Sequence, residues 1–152
     1  MTQFREKLWP APGWFAATAL VIPASLLALA PISMFAGIIT AVVLYGGCVV
    51  GLLLASPEIT VADGHLHAGK AQVSLDHVGR VEAFRGREAF QQRGADLDAR
   101  AWLLIRGWVR DVVRVQIVDP ADPAPYWLLS SRRPDDLVAA LEGARRPRPD
   151  LQ

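Results

Sequence analysis

Between Leu8 and Pro57 the sequence contains no Asp, Glu, Lys, Arg or His, a gap of 50 residues in a chain of 152. A gap of that length excludes a simple soluble globule. Cysteine is almost missing as well: Cys48 stands alone, which excludes a disulfide scaffold. A strong charge of either sign is also lacking. The formal net charge is +1, so the chain as a whole is not a disordered acidic or basic tail. No Gly-rich phosphate loop occurs, and no serine or cysteine sits in a recognised nucleophile context.

What the gap contains is apolar. A single helix of 50 residues would run about 75 Å, against a hydrocarbon core of about 30 Å. The segment is therefore expected to cross a membrane twice, in spans of about 14–30 and 34–55. Pro31, followed by Ile32 and Ser33, is the expected turn, because proline has no N–H and displaces its predecessor from the helical region. Pro23 is expected to kink the first span, leaving a carbonyl that Ser25 or the second helix must satisfy. Trp9 and Trp14 stand at the entry, where indole rings suit a headgroup interface.

Arg5 and Lys7 precede the first span, and no positive charge lies in the Pro31–Ser33 turn. The positive-inside bias then predicts a two-pass protein of the inner (plasma) membrane, with both termini and the soluble part cytoplasmic. Ala28-Leu29-Ala30 imitates a signal-peptide cleavage site, but Trp-Pro-Ala-Pro-Gly before it and a second apolar run after it argue against cleavage. The absence of a charge at membrane depth argues against a transporter working alone. Gly47 and Gly51 form a GxxxG spacing, with Gly46 adjacent, that lets another backbone approach closely. Their expected contact is the chain's own first helix or, on the sharper reading, a partner subunit.

From Glu58 onward the pattern changes to short alternating segments. Asp63-Gly64 is the strongest hairpin signal in the chain. Seven strands are expected, with Val113, Val115 and Ile117 on one face of the sixth and Arg114 and Gln116 on the other. Residues 87–93 read as a short helix or ordered loop ending at Gly94. A last amphipathic helix follows, with Ser131 as N-cap, Pro134 in its first turn, and Leu137, Val138 and Leu141 as its apolar stripe. The expected organisation is an N-terminal segment and membrane hairpin over 1–57, a cytoplasmic β-rich domain over 58–143 and a disordered tail over 144–152. The fold class is α+β: a transmembrane hairpin followed by a small antiparallel β-barrel or sheet closed by a C-terminal helix, an outline that resembles pleckstrin-homology-like domains.

Candidate chemistry is sparse. His65 and His67 share a face at i, i+2, but a metal needs more ligands, which Asp63 or His77 would have to supply. Asp119 and Asp122 read as turn formers, and Asp135 and Asp136 as partners of a helix dipole, rather than as acid–base pairs. No catalytic residue, cofactor or metal is assigned. From Glu58 onward 14 basic side chains, 13 of them Arg, face 14 acidic ones, which argues against nucleic acid. Local basic clusters remain. Arg106, Trp108, Arg110, Arg132 and Arg133 make the expected lipid or partner face, with Trp108 the most exposed of the domain's three tryptophans.

The segment from Asp119 through Pro-Tyr-Trp (125–127) and Arg-Arg-Pro (132–134) to Leu137 resembles the signature of an actinobacterial membrane family known as domain of unknown function 3093. Phe4-Arg-Glu-Lys-Leu-Trp-Pro, Val61-Ala-Asp-Gly-His-Leu and Arg106-Gly-Trp-Val are similar to it as well. The resemblance implies a two-pass anchor and a cytoplasmic domain, and carries no catalytic residues. The expected function is a non-enzymatic membrane-anchored interaction module, an accessory subunit with an integral membrane partner or a second copy of itself. A peripheral sensor of anionic lipid is the alternative. A metal-dependent enzyme built on His65 and His67 is the second alternative.

Overall fold

A computed structural model describes residues 2–145 and divides the chain into two compact units. One is the apolar segment Trp9–Ser56; the other combines the residues before Trp9 with those from Pro57 onward.

In the apolar unit, helices α1 (Pro12–Ala19) and α2 (Val21–Leu29) are separated by a one-residue break at Leu20. Pro23 explains it. It has no N–H for the Ala19 carbonyl and its ring crowds that carbonyl, and at the break the Leu20 amide bonds Ala17 O at 3.2 Å. Ser25 does not rescue that carbonyl; its hydroxyl donates to Val21 O at 2.8 Å. The turn at Pro31 is as expected, and Ser33 caps α3 (Met34–Leu54) by accepting from the Ala36 amide at 3.3 Å. Pro12–Leu29 and Met34–Leu54, of 18 and 21 residues, are both long and apolar enough to cross a membrane.

The second unit holds two four-stranded sheets. The first has the order β1 (Thr2–Lys7), β2 (Glu58–Ala62), β3 (His65–Ala68), β4 (Ala71–Ser74), all antiparallel. Asp63 and Gly64 turn β2 into β3 with φ of 51° and 75°, the pair of positive values that a two-residue type I′ hairpin requires. The second sheet has the order β5 (Val78–Phe84), β7 (Val112–Ile117), β8 (Tyr126–Ser130), β6 (Trp102–Leu104). Here β6 runs parallel to β8, so the sheet is not purely antiparallel. Among the described residues no closed barrel forms, and each sheet keeps two edges.

The larger correction lies at the N-terminus. Residues 2–7, grouped by sequence with the hairpin over 1–57, form an eighth strand that pairs with β2, Glu6 opposite Ile59 and Lys7 opposite Glu58. The Leu8 amide donates to Pro57 O at 2.9 Å, so the two ends of the apolar segment emerge side by side. Phe4 and Leu8 point into the core, each contributing about 1.5–3 kcal/mol by burial.

Helix α5 (Pro134–Arg145) packs on β5, β1, β7 and β2 and sends Leu137 and Leu141, both fully buried, into a core shared by the two sheets. The tail expected over 144–152 therefore starts as helix; residues 146–152 lie outside the described part. On the other face of the second sheet, α4 (Gly86–Arg93) lays Ala89 over Val112, Tyr126 and Leu128. That smaller cluster leaves the rest of the outer face open.

Candidate functional site

Strand β1 alternates strictly, with Phe4, Glu6 and Leu8 inside and Arg5 and Lys7 outside. A carboxylate among apolar inward positions needs full hydrogen bonding to be tolerated. Glu6 has it: Oε2 accepts from the Ser131 hydroxyl at 2.6 Å and Oε1 from the Arg132 amide at 2.8 Å. Ser131 Oγ also accepts from the Arg133 amide at 3.1 Å. Ser131 is thus not the N-cap itself. The cap position falls on Arg133, next to Pro134, and Ser131 and Glu6 together bind the amides leading into the helix.

Arg133 closes the joint from outside. Its guanidinium lies 4.9 Å from the centre of the Phe4 ring and donates to Arg5 O at 2.8 Å. Arg5 in turn pairs with Glu58 on β2. Trp108 reaches the residue just after the strand, with Nε1 donating to Leu8 O at 3.2 Å. The Arg106 amide donates to Ser130 Oγ at 3.0 Å. Three of the four stretches on which the family resemblance rests therefore meet at one place, the joint that ties β1 to the start of α5.

This geometry revises the expected lipid or partner face. Trp108 is half-buried against the core, as is Trp102, while Trp127 is buried; the rings of Trp102 and Trp127 lie 4.7 Å apart. Arg133 and the Arg132 backbone serve the joint. Arg110 is exposed and Arg106 half-buried, with its guanidinium donating to Ile105 O at 2.8 Å. Of the five residues, Trp108 bonds Leu8, Arg132 and Arg133 bond Glu6 and Arg5, and Arg110 is exposed, so they are not five equivalent solvent-facing groups.

Sequence reasoning passed over Arg93. Its Nη2 donates to Val109 O at 2.6 Å and to Arg110 O, fixing the loop that carries Trp108. Burial pushes the Arg93 guanidinium below its ordinary range, with Asp111 partly restoring it. The signal was not readable locally, because both acceptors are main-chain carbonyls of another segment.

The remaining candidates fall apart spatially. His65 and His67 are exposed on β3 with ring centres 6.1 Å apart. His65 Nδ1 lies 3.0 Å from Asp63 O, a backbone atom, and His77 faces Asp119 at 3.7 Å instead of joining them. Among the described residues no three His, Cys, Asp or Glu side chains are grouped to hold a metal. Asp119 and Asp122 form turns, accepting from the Ala121 and Ala124 amides, each at 2.8 Å. Asp135 pairs with Arg85.

Within the apolar unit, Gly47 and Gly51 do not touch the first helices. A Cβ placed on either, or on Gly46, meets nothing within 4 Å. Close approach happens at Gly37, whose added Cβ would lie 3.5 Å from Leu26 Cδ2 and 3.6 Å from Leu29 Cβ, beside the buried Ala41. The expectation that GxxxG packs on the chain's own hairpin is therefore overturned.

No curated protein and no solved structure matches the chain. A family model matches residues 3–141, from β1 through the buried stripe of α5, and so takes in both sides of the joint. The chain belongs to the family described as Protein of unknown function (DUF3093).

Proposed function

We propose that the protein is a two-pass membrane-anchored interaction module whose second unit, joined to both ends of the hairpin, lies on one side of the bilayer. The observation that carries this reading is the pairing of β1 with β2 across the apolar segment. If the segment inserts, strands on its two sides can share a ladder only on the same side of the membrane, which requires an even number of crossings. The pairing also opposes cleavage after Ala30, which would remove β1. Arg5 and Lys7 then favour the cytoplasmic side through the positive-inside bias. Large exposed apolar side chains along α3, such as Phe35, Val42 and Val43, suit lipid. The two sheets and closing helix support a pleckstrin-like layout, with the parallel β6–β8 pair as a departure from it.

The partner on this reading is an integral membrane protein that uses the vacant glycine strip of α3. Its test is gentle detergent extraction of the tagged chain from native membranes, with mass spectrometry of what travels with it. A stoichiometric integral membrane subunit that is lost on Gly51→Leu supports the accessory role. Extraction alone, or co-purification unchanged by Gly51→Leu, sinks it.

One contact favours the lipid-sensing alternative: Trp108 Nε1 donates to the carbonyl of Leu8, the residue next to Trp9 in the chain, and an indole suits a headgroup interface. Hydrogen exchange over 104–111, in bilayers with and without anionic lipid, tests it. Protection that needs anionic lipid and fades with salt supports this reading.

A further inference from the structure

We propose that the outer face of the second sheet carries an oxyanion-binding pocket centred on Arg114, for a small ligand bearing one phosphate or carboxylate group. The pocket is a cavity of about 320 Å³, at the small end for ligand sites, lined by Arg80, Glu82, Arg114, Gln116, Pro125 and Tyr126. The alternation of β7 creates it: Val113 and Val115 point into the shared core, so Arg114 and Gln116 stand on the opposite face, beyond the part that α4 covers.

Arg114 is held in a way that leaves its donors available. Its guanidinium carbon lies 4.3 Å from the centre of the Tyr126 ring, a stacked arrangement. Stacking uses the face of the planar group and leaves its N–H edges for a bidentate acceptor. The ring beneath is fixed, because the Tyr126 hydroxyl accepts from the Asp98 amide at 2.8 Å. Glu82 is the cross-strand partner of Arg114, yet its carboxylate is engaged by Arg80 at 2.8 Å. Among the described residues the Arg114 guanidinium makes no ion pair and no hydrogen bond. Gln116 Oε1 accepts from the Arg80 amide at 3.1 Å, which leaves the Gln116 NH₂ as a further donor. Two guanidinium groups and one carboxylate give the pocket a net charge of +1, the complement of a singly charged oxyanion.

Such a group has two sources, a free small molecule or a lipid headgroup. The experiment uses the full chain in nanodiscs with ¹⁵N-arginine side chains observed by NMR. One arm titrates inorganic phosphate and acetate into phosphatidylcholine discs; the other replaces part of the lipid with phosphatidylglycerol. A saturable shift of the Arg114 Nε resonance in the first arm assigns a soluble ligand, and a shift confined to the second assigns a headgroup. Arg114→Gln is expected to weaken binding about tenfold or more, as loss of a bidentate charged donor does. Arg80→Gln, at a side chain 77% exposed and so safe for folding, should weaken it several-fold. Glu82→Gln should strengthen it by removing the competing carboxylate, and Arg87→Gln, outside the pocket, should change nothing. Absence of saturation in every arm, or binding that survives both Arg114→Gln and Arg80→Gln unchanged, overturns the proposal.

Discussion

The Glu6 carboxylate accepts a 2.6 Å hydrogen bond from the hydroxyl of Ser131, a residue 125 positions further along the chain. Both groups are buried, and the pair joins the strand before the apolar hairpin to the entry of the last helix. The domain on the far side of the hairpin is therefore incomplete without the residues that precede it.

Removing the carboxylate should be expensive. Glu6→Ala removes the acceptor of the buried Ser131 hydroxyl and of the Arg132 amide and is expected to lower stability by about 2–4 kcal/mol. Glu6→Gln keeps the shape and one acceptor oxygen and should cost less. Thermal unfolding in detergent, followed by near-ultraviolet dichroism of the tryptophans, measures the difference. Equal stability of all three proteins would show that the joint contributes nothing.

The proximity of Leu8 and Pro57 makes the second unit separable. Replacing residues 9–56 with a short Gly-rich turn should give a folded, water-soluble protein with dispersed amide resonances. A chain that simply begins at Pro57 should aggregate, because β2 becomes an open edge and the pocket for Phe4 and Leu8 is exposed. Size-exclusion chromatography of the two proteins checks the contrast.

Gly79 occupies a bulge. Between the pairs Val78–Ile117 and Val81–Val115, β5 carries an extra residue, and a Cβ on Gly79 would lie 2.8 Å from Gln116 Oε1 and 2.9 Å from Val118 Cγ1. Gly79→Ala is expected to cost about 1–3 kcal/mol. It should also displace Gln116 from the Arg80 amide, visible as a changed Arg80 amide shift. An unchanged melting temperature would mean that the exposed Gln116 side chain moves aside freely.

Asp98 supplies a pH-dependent clip in the loop that covers Tyr126. Hydrogen bonds from the Arg100 side chain and amide hold its carboxyl below the ordinary value near 3.8. A depressed folded-state value means that the clip stabilises fully above the ordinary carboxylate range. Its contribution fades as pH falls through the depressed value. Carboxyl ¹³C titration of Asp98 should show the low midpoint, and Arg100→Gln should raise it towards normal. A normal midpoint in the unmodified protein refutes the clip.

Several features were legible because their causes are local. The charge gap from Leu8 to Pro57 announces an apolar hairpin whatever surrounds it, since chain length and hydrocarbon thickness alone demand a turn. Pro23 and Pro31 break helices by their own geometry, and Asp63-Gly64 makes its turn by its own dihedral angles. The α5 stripe was likewise readable from its spacing. The joint was not. Glu6 looks like a surface charge in a short polar leader, and only the arrival of Ser131 and Arg132 from the other end of the chain makes an inward carboxylate acceptable. Nor does periodicity reveal a neighbour, so the parallel pairing of β6 with β8, the half-buried Trp108 and the vacant Gly47–Gly51 strip were beyond it. The apolar hairpin, its proline breaks, the Asp63-Gly64 turn and the α5 stripe thus follow from residues a few positions apart, whereas β1 does not. Which strands pair, which charges are buried and which donors are left over depend on groups brought together from distant parts of the chain, and these emerge only in the folded molecule.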